Sequence, residues 1–235
     1  MYIQEKSSYN DRLFKPKSIR KFLHLARFKW INKQLKKYKI EYKKVIELGC
    51  HDGKVINYLP KKPEIYKGYD ANWEEGLEFA KKNFLEFKNY SFHESNNPKD
   101  IKLNKDEIFE LAISLETLEH IPVKMLCPYL EKISKNLNGY FFITVPNEKG
   151  PFFIMKRLAR PQEDSYEYTL KDYVNLLFGK TNSVERDNHK GFDYDHLIYD
   201  LKKYFDILEV KGLPLGNFLP KFLCFGIGIV AKTKE

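Results

Sequence analysis

The feature that most restricts the fold is an alternation along the chain: seven short, apolar, β-favouring runs are separated by stretches with helical spacing. The runs are VIEL (45–48), YKGYD (66–70), YSFH (90–93), LAISL (111–115), YFFITV (140–145), FDILEV (205–210) and FGIGIVA (225–231). Helical candidates lie near 53–59, 73–87, 123–137 and 193–204. Strands joined through helices need crossover connections, and right-handed crossovers build a mainly parallel sheet covered on both faces. The expected fold class is therefore α/β, a doubly wound, mainly parallel seven-stranded sheet of Rossmann-like type. A chain of 235 residues, 43% hydrophobic, can bury one full-sized core, and its length demands no second domain.

Two segments fall outside this rhythm. Ser18 followed by Ile19, Phe22, Leu23, Ala26, Trp30, Ile31 and Leu35 has the spacing of an amphipathic helix with Lys and Arg between. Residues 1–44 form a basic helical arm with 14 Lys/Arg against 3 Asp/Glu, so the net charge of +9 is concentrated there and the rest is nearly neutral. Such an arm suits RNA, peripheral contact with an anionic membrane surface, or a phosphorylated substrate, although a Lys-rich compositional bias gives the same pattern. The second segment, 151–190, is punctuated by Pro151, Pro161 and Gly179 and reads as a cap inserted after the fifth strand. Ligands of open α/β sheets bind beyond the carboxyl ends of the strands, so this cap should cover the site and govern substrate choice. The expected organisation is the arm, then a domain over 45–235 carrying the cap. Cys50, Cys127 and Cys224 are odd in number, widely spaced and without a Cys-x-x-Cys pair, as in a reducing compartment. With no secretory pattern at the start and no run of ~20 apolar residues, a cytoplasmic protein without a transmembrane segment is expected.

The first strand–helix junction reads Val45-Ile46-Glu47-Leu48-Gly49-Cys50-His51-Asp52-Gly53, an apolar strand entering a glycine-bearing turn that lets a ligand approach the backbone closely. The second strand ends in Asp70, a carboxylate suited to both hydroxyls of a ribose. A dinucleotide would require a close-packed G-x-G-x-x-G and a turn free of negative charge. Here His51 takes the second glycine place, and Asp52 would repel a phosphate but tolerate a cationic sulfonium. The turn favours S-adenosylmethionine.

These residues resemble the first motif of class I methyltransferases, an acidic residue followed by x-Gly-x-Gly-x-Gly, which Glu47, Gly49 and Gly53 match while His51 departs from it. The resemblance covers about 40–147 and the last two strands. It implies that Glu47 and Gly49 line the methionine part, that Asp70 holds the ribose, and that a polar residue after the third strand caps the adenine. Glu94 is favoured for that role, with Ser95 and Asn96 as alternatives. Glu47, Gly49, Cys50, His51, Gly53, Asp70, Glu94 and Leu115 form the expected cofactor-binding set.

The fourth strand runs into Glu116-Thr117-Leu118-Glu119-His120-Ile121-Pro122, bringing two carboxylates and an imidazole to one strand end. That donor set suits a divalent cation such as Mg2+, which would lower the pKa of an acceptor hydroxyl. His120, or a histidine opposite, is a candidate general base. A further ligand is expected across the cleft, and His189 stands just before a helix after the cap. Glu-x-x-Glu-His with a later His resembles the metal-assisted hydroxyl methyltransferases of ubiquinone biosynthesis and small-RNA 3′ ends, which implies Glu116, Glu119, His120 and His189 as metal ligands. Many class I enzymes carry the same string without a metal, and His120 then lines the pocket. The expected catalytic residues are His120, Glu119 and His189, with Asn147 and Glu148 facing the same cleft. His24, His93 and His196 have no visible partner and read as structural or surface residues.

The string 116–122, the Val-Pro-Asn turn and the small cap resemble bacterial methyltransferases of polysaccharide assembly. That resemblance implies transfer of a methyl group to a sugar hydroxyl, in a surface glycan or a related nucleotide-sugar or lipid-linked intermediate. The aromatics of the cap (Phe152, Phe153, Tyr166, Tyr168, Tyr173) suit stacking on sugar faces, though such residues more often form core. RNA ribose 2′-O-methylation is the alternative, and a non-catalytic S-adenosylmethionine-binding protein the third reading.

Overall fold

The structure, a computed structural model, describes residues 19–159 and 167–234. The basic residues before Ile19, and Pro161 and Tyr166 of the cap, lie outside the described residues. Helix α1 (Ile19–Lys37) leads into a seven-stranded sheet of β1 (Lys44–Leu48), β2 (Ile65–Asp70), β3 (Tyr90–Glu94), β4 (Phe109–Leu115), β5 (Leu137–Pro146), β6 (Phe205–Leu213) and β7 (Gly226–Thr233). Their order is β3-β2-β1-β4-β5-β7-β6, and β7 alone runs antiparallel to its neighbours. All seven expected strands are present, and the sheet is the Rossmann-like one the alternation predicted. Connections run outward from β1 to one side and from β4 to the other, so the order reverses between β1 and β4. A crevice beyond the carboxyl ends of those two strands is where such a sheet accepts ligands.

Apolar strands bury both faces of the sheet. One core gathers Ile46, Phe109, Phe141 and Ile227 with α3 (Val123–Lys135) and α6 (Tyr194–Leu201). The other gathers Val45, Tyr66, Leu111 and Phe142 with α1 and α2 (Gly76–Asn83). Trp30 of α1 packs on Phe142 at 5.8 Å between ring centroids, over Gly228, where a Cβ would stand 2.7 Å from the indole. Buried Gln34 donates to Glu209 of β6 at 3.1 Å, which fixes the helix to the sheet edge.

The helical expectations are shortened at two places. After β1 stands only a 3-10 turn, Lys54–Tyr58, entered from Gly53 at φ 71° and left through an extended Leu59 that precedes Pro60. The expected helix over 73–87 is a 3-10 turn, Trp73–Glu75, followed by α2, which ends at Asn83. Its expected last turn is spent elsewhere: Phe84 packs 5.9 Å from Phe92 of β3, and Phe87 stacks on Tyr90 at 4.7 Å.

The cap contains α4 (Gly150–Ala159) and α5 (Leu170–Leu177) around a small core of Phe153, Leu176 and Val184. Tyr168 and Tyr173 pack on fully buried Phe153, Arg157 lies 4.2 Å from the Tyr168 ring, and Phe152 meets Phe225 edge-on. Within the cap, Phe153, Tyr168 and Tyr173 therefore pack on one another as core, Phe152 packs outward on Phe225, and Phe178 is exposed.

Candidate active site

The turn after β1 is a series of left-handed residues: Gly49 at φ 76°, His51 at 43° and Gly53 at 71°. A Cβ at Gly49 would overlap the Thr117 side chain, and one at Gly53 would stand 2.7 Å from Phe84, so both glycines are required by space as well as by conformation. His51 adopts the same conformation with a side chain. Its ring fits over Gly76, where a Cβ would come within 2.6 Å of it, and its Nδ1 lies 3.9 Å from Asp52. The glycine that accommodates His51 is thus Gly76, 25 residues away, on a different helix.

Asp70 accepts the His51 amide at 2.9 Å and the Asn72 amide at 2.8 Å, one on each carboxylate oxygen, and so ties the turns after β1 and β2 together. Each oxygen keeps a lone pair for a ligand. Glu47 is buried and accepts from the buried Tyr66 hydroxyl. Burial pushes its carboxyl up to about 8; Tyr66 opposes this, the charges of Asp70 and Asp52 reinforce it, and Arg27 of α1 draws it back. Tyr66 and Arg27 were not anticipated, since nothing local in the sequence pairs them with Glu47. The Cys50 thiol is buried against Gly68, leaving its main chain toward the turn. Leu115 is buried at the end of β4. After β3, Glu94 is exposed and accepts from Asn96 at 2.9 Å, while Ser95 is buried with its hydroxyl 3.1 Å from that of Tyr129.

Beyond β4, Glu116 at φ 53° turns its carboxylate to the Thr144 hydroxyl of β5 at 3.0 Å. A 3-10 turn, Leu118–His120, then points Glu119 inward and His120 outward, the first with no exposure and the second about half exposed. Neither oxygen of Glu119 has a hydrogen-bond partner from another described residue. Burial raises its carboxyl well above the usual range, and the negative charges of Glu116 and Glu148 add to that. Arg186 is bonded at 2.7 Å to the Glu119 carbonyl, not to its carboxylate.

His189 arrives from the other side of the cleft on a tight turn, in which Asp187 and Lys190 exchange main-chain bonds around Asn188 at φ 46°. The turn is anchored by Asp193, which holds Thr181 and Lys149, and Lys149 also reaches Asp195 at 2.7 Å. His189 meets His120 edge-on at 4.5 Å between centroids. Its Nδ1 stands 3.3 Å from Glu148, whose carboxylate also takes Lys156 at 2.7 Å. Burial pushes Glu148 up, but Lys156 and His189 outweigh it and hold the carboxyl below the usual range. His120 is pushed down to about 4 by burial and by the charges of His189 and Arg186.

Glu119, His120 and His189 each offer a ligand atom within 4.8 Å of the others; Glu116 is not of this group. Glu148 does not face the cleft openly, and Asn147 is buried, donating to the carbonyls of Lys221 and Cys224. Lys156 and Arg186 join the site unannounced, as ordinary basic residues of a helix and a loop. His93 is exposed and stacks on Tyr69, and His196 is exposed on α6; the side chain of His24 lies outside the described set. No described helix is long and apolar enough to cross a membrane.

Comparison with known proteins bears on this arrangement. The methyltransferase-domain family matches residues 18–194. No curated protein sequence matches the chain. A methyltransferase domain of bacterial CtHen1 is similar in structure at a TM-score of 0.59 and 17% identity, over 89% of this chain and 99% of that one. An S-adenosylmethionine-dependent methyltransferase from Clostridium acetobutylicum is similar at 0.62 and 14%, over 96% of each chain. The N-methyltransferase NodS from Bradyrhizobium japonicum, solved with S-adenosyl-L-homocysteine, is similar at 0.56 and 11%, again over 96% of each. The chain belongs to the methyltransferase-domain family and carries the class I fold of S-adenosylmethionine-dependent methyltransferases.

Proposed function

We propose that this protein transfers the methyl group of S-adenosylmethionine to a sugar hydroxyl, in a glycan or a lipid-linked precursor, with a divalent cation at Glu119, His120 and His189. The observation that carries the reading is Glu119, a carboxyl wholly removed from water, without a hydrogen-bond partner from another described residue, facing two imidazoles. A buried carboxyl in that state is costly. Two nitrogens and an anionic oxygen suit a borderline cation, and Glu148 behind His189 supplies the carboxylate that commonly orients a ligating imidazole.

The left-handed turn of Gly49 and Gly53, with Asp70 beside it, fits the cofactor. S-adenosylmethionine supplies a methyl group on a positive sulfur, and in the transfer the S–C bond breaks as the O–C bond forms. Glu47, which the same positive charge would draw toward ionisation, lines its methionine part. A cation supplies Lewis acidity, making the acceptor hydroxyl easier to deprotonate. His120, neutral at pH 7 because its pKa lies at about 4, has a lone pair with which to ligate or to take the hydroxyl proton. His189, edge-on to it, is the second candidate base. Arg186 braces the 3-10 turn through the Glu119 carbonyl and excludes water behind it.

RNA ribose 2′-O-methylation is the second reading, favoured by the similarity to the CtHen1 domain and by the same three-residue cluster, since a ribose and a glycan both offer vicinal hydroxyls.

The test is thermal unfolding with S-adenosyl-L-homocysteine, with and without Mg2+. Ligand at ~100 times its Kd adds roughly 2.7 kcal/mol, about 5–10 °C for a domain of this size. A shift of that order, enlarged by the cation in the wild type but not in His189→Ala, supports both halves of the site. A shift indifferent to cation and chelator removes the metal and keeps the cofactor; no shift removes both.

A further inference from the structure

The carboxyl edge of the sheet presents a second feature beside the cleft. Between α1 and the end of β6 lies a groove of about 250 Å3, floored by Phe22, Ala26 and Trp30 and walled by Leu213 and Pro214. Three lysines, Lys29, Lys33 and Lys211, stand on its rim. The connection from β6 to β7 continues this surface and is apolar where it meets water. Phe218 is 85% exposed, Phe222 49% and Leu215 47%, and Phe22 across the groove is 54% exposed. Helix α4 packs against the 3-10 turn at Lys221–Leu223 and adds exposed Met155 and Leu158. The connection is not a loose appendage. Asn147 of the turn after β5 binds its carbonyls at Lys221 and Cys224, and the next residue is Glu148 of the site.

Exposed apolar side chains of this size, gathered along one groove and the connection that continues it, mark an interaction surface. Several occupants are conceivable in chemistry, and charge separates them. A second copy, docked about a two-fold axis, would bring the same lysines face to face. A single-stranded nucleic acid would use the lysines and stack on Phe218, but leaves Leu215, Met155 and Leu158 in water. Aliphatic and aromatic side chains ringed by lysines match the boundary between acyl chains and anionic headgroups.

We propose that this face seats the protein on an anionic lipid bilayer, with the β6–β7 connection inserted at the headgroup level. Seated so, the cleft opens at the membrane surface, and an acceptor carried on a lipid would reach it from the interface. That consequence rests on the acceptor reading above. The docking itself does not, and it is measured without cofactor, cation or acceptor.

The experiment is co-sedimentation of the full chain with phosphatidylcholine vesicles, with and without phosphatidylglycerol, at low and high salt. Binding is expected only with phosphatidylglycerol and should weaken with salt. Leu215→Ser with Phe218→Ser, and separately Lys29→Glu with Lys33→Glu, should each weaken it by roughly tenfold or more while melting at the wild-type temperature. Equal binding to both vesicle types, no binding to either, or unchanged binding by both folded variants would overturn the proposal. So would a dimer in sedimentation velocity that the Phe218 variant dissolves, or single-stranded RNA binding that depends on Phe218, each giving the face to another occupant.

Discussion

Glu47 and Glu119 lie at the carboxyl ends of adjacent strands, β1 and β4, and both are buried with carboxyls pushed above the ordinary range, yet only Glu47 has a partner from another residue. Tyr66 donates to it from β2, the strand paired alongside, and Arg27 approaches from α1. Glu119 faces His120 at 3.9 Å; Glu116 and Glu148 carry its own charge sign, and only its own main chain and the charge of Arg186 draw its carboxyl back. Burial alone therefore does not distinguish a site from a satisfied core acid. The difference lies in what the surroundings withhold: a buried polar group left without a partner costs about 1–3 kcal/mol, and such groups persist mainly where function uses them.

The sharpest break of this comparison is in activity. Glu119→Gln keeps the shape and removes the charge that would hold a cation. Methyl transfer is expected to fall at least ~1,000-fold, about 4 kcal/mol of barrier. Stability should fall by no more than about 1 kcal/mol, because the carboxyl takes no hydrogen bond from another described residue. Radiolabelled methyl transfer, beside urea unfolding, reads both. Activity within about tenfold of wild type would place Glu119 with ordinary buried acids. A chelator applied to the wild type should reproduce the loss, and added Mg2+ should reverse it.

Glu47 should answer in stability and in its pH dependence. Its folded pKa, about 8, lies above the ordinary carboxyl value, so the folded state holds the proton while the unfolded chain releases it. The contribution is present in full below about pH 4.5 and is lost as pH rises toward 8. In Glu47→Gln that loss is absent. Between pH 5 and pH 8 the stability difference between variant and wild type should move in the variant's favour by about 3 kcal/mol. Urea unfolding at several pH values measures it, and a constant offset from the new amide does not disturb the slope. A flat difference would mean that Glu47 ionises freely.

How far each half was legible follows from the range over which its contacts act. The seven strands could be read because parallel strands buried on both faces are written as apolar runs, and the glycine turn because Gly49 and Gly53 answer to local backbone conformation. Glu119 and His120 are neighbours in a single string, so their juxtaposition was visible too. His189 required a tight turn about 70 residues further on, and only the family resemblance connected it. What escaped reading was the support. Tyr66 under Glu47, Gly76 beneath His51, and Lys156 with Glu148 behind His189 are pairings across the fold whose members look unremarkable where they stand. The cap aromatics left two readings open in sequence, a sugar platform or a core, and Phe153, Tyr168 and Tyr173 close a small core in space. The same limit misjudged α2, whose last expected turn is given up to the aromatic cluster on β3.

The smallest effect tests whether the Tyr66 bond is what sets Glu47 apart. Tyr66→Phe removes one hydroxyl from the core and leaves Glu47 in the position Glu119 already occupies, buried with no partner of its own. The expected cost is about 1–2 kcal/mol in urea unfolding, since the orphaned group is the neutral acid at pH 6 and keeps its own proton. Combined with Glu47→Leu, which removes the acceptor as well as the charge, the two changes should not add, because they share one interaction. The coupling should be near the full cost of the hydroxyl, and it should be larger at pH 8 than at pH 6, where the charged form gains most from the donor. Additive losses would mean that the hydroxyl and the carboxyl do not bond to each other. Glu47 would then be as unpartnered as Glu119, and the contrast that supports the proposed catalytic role of the β4 end would have to rest on the two histidines alone.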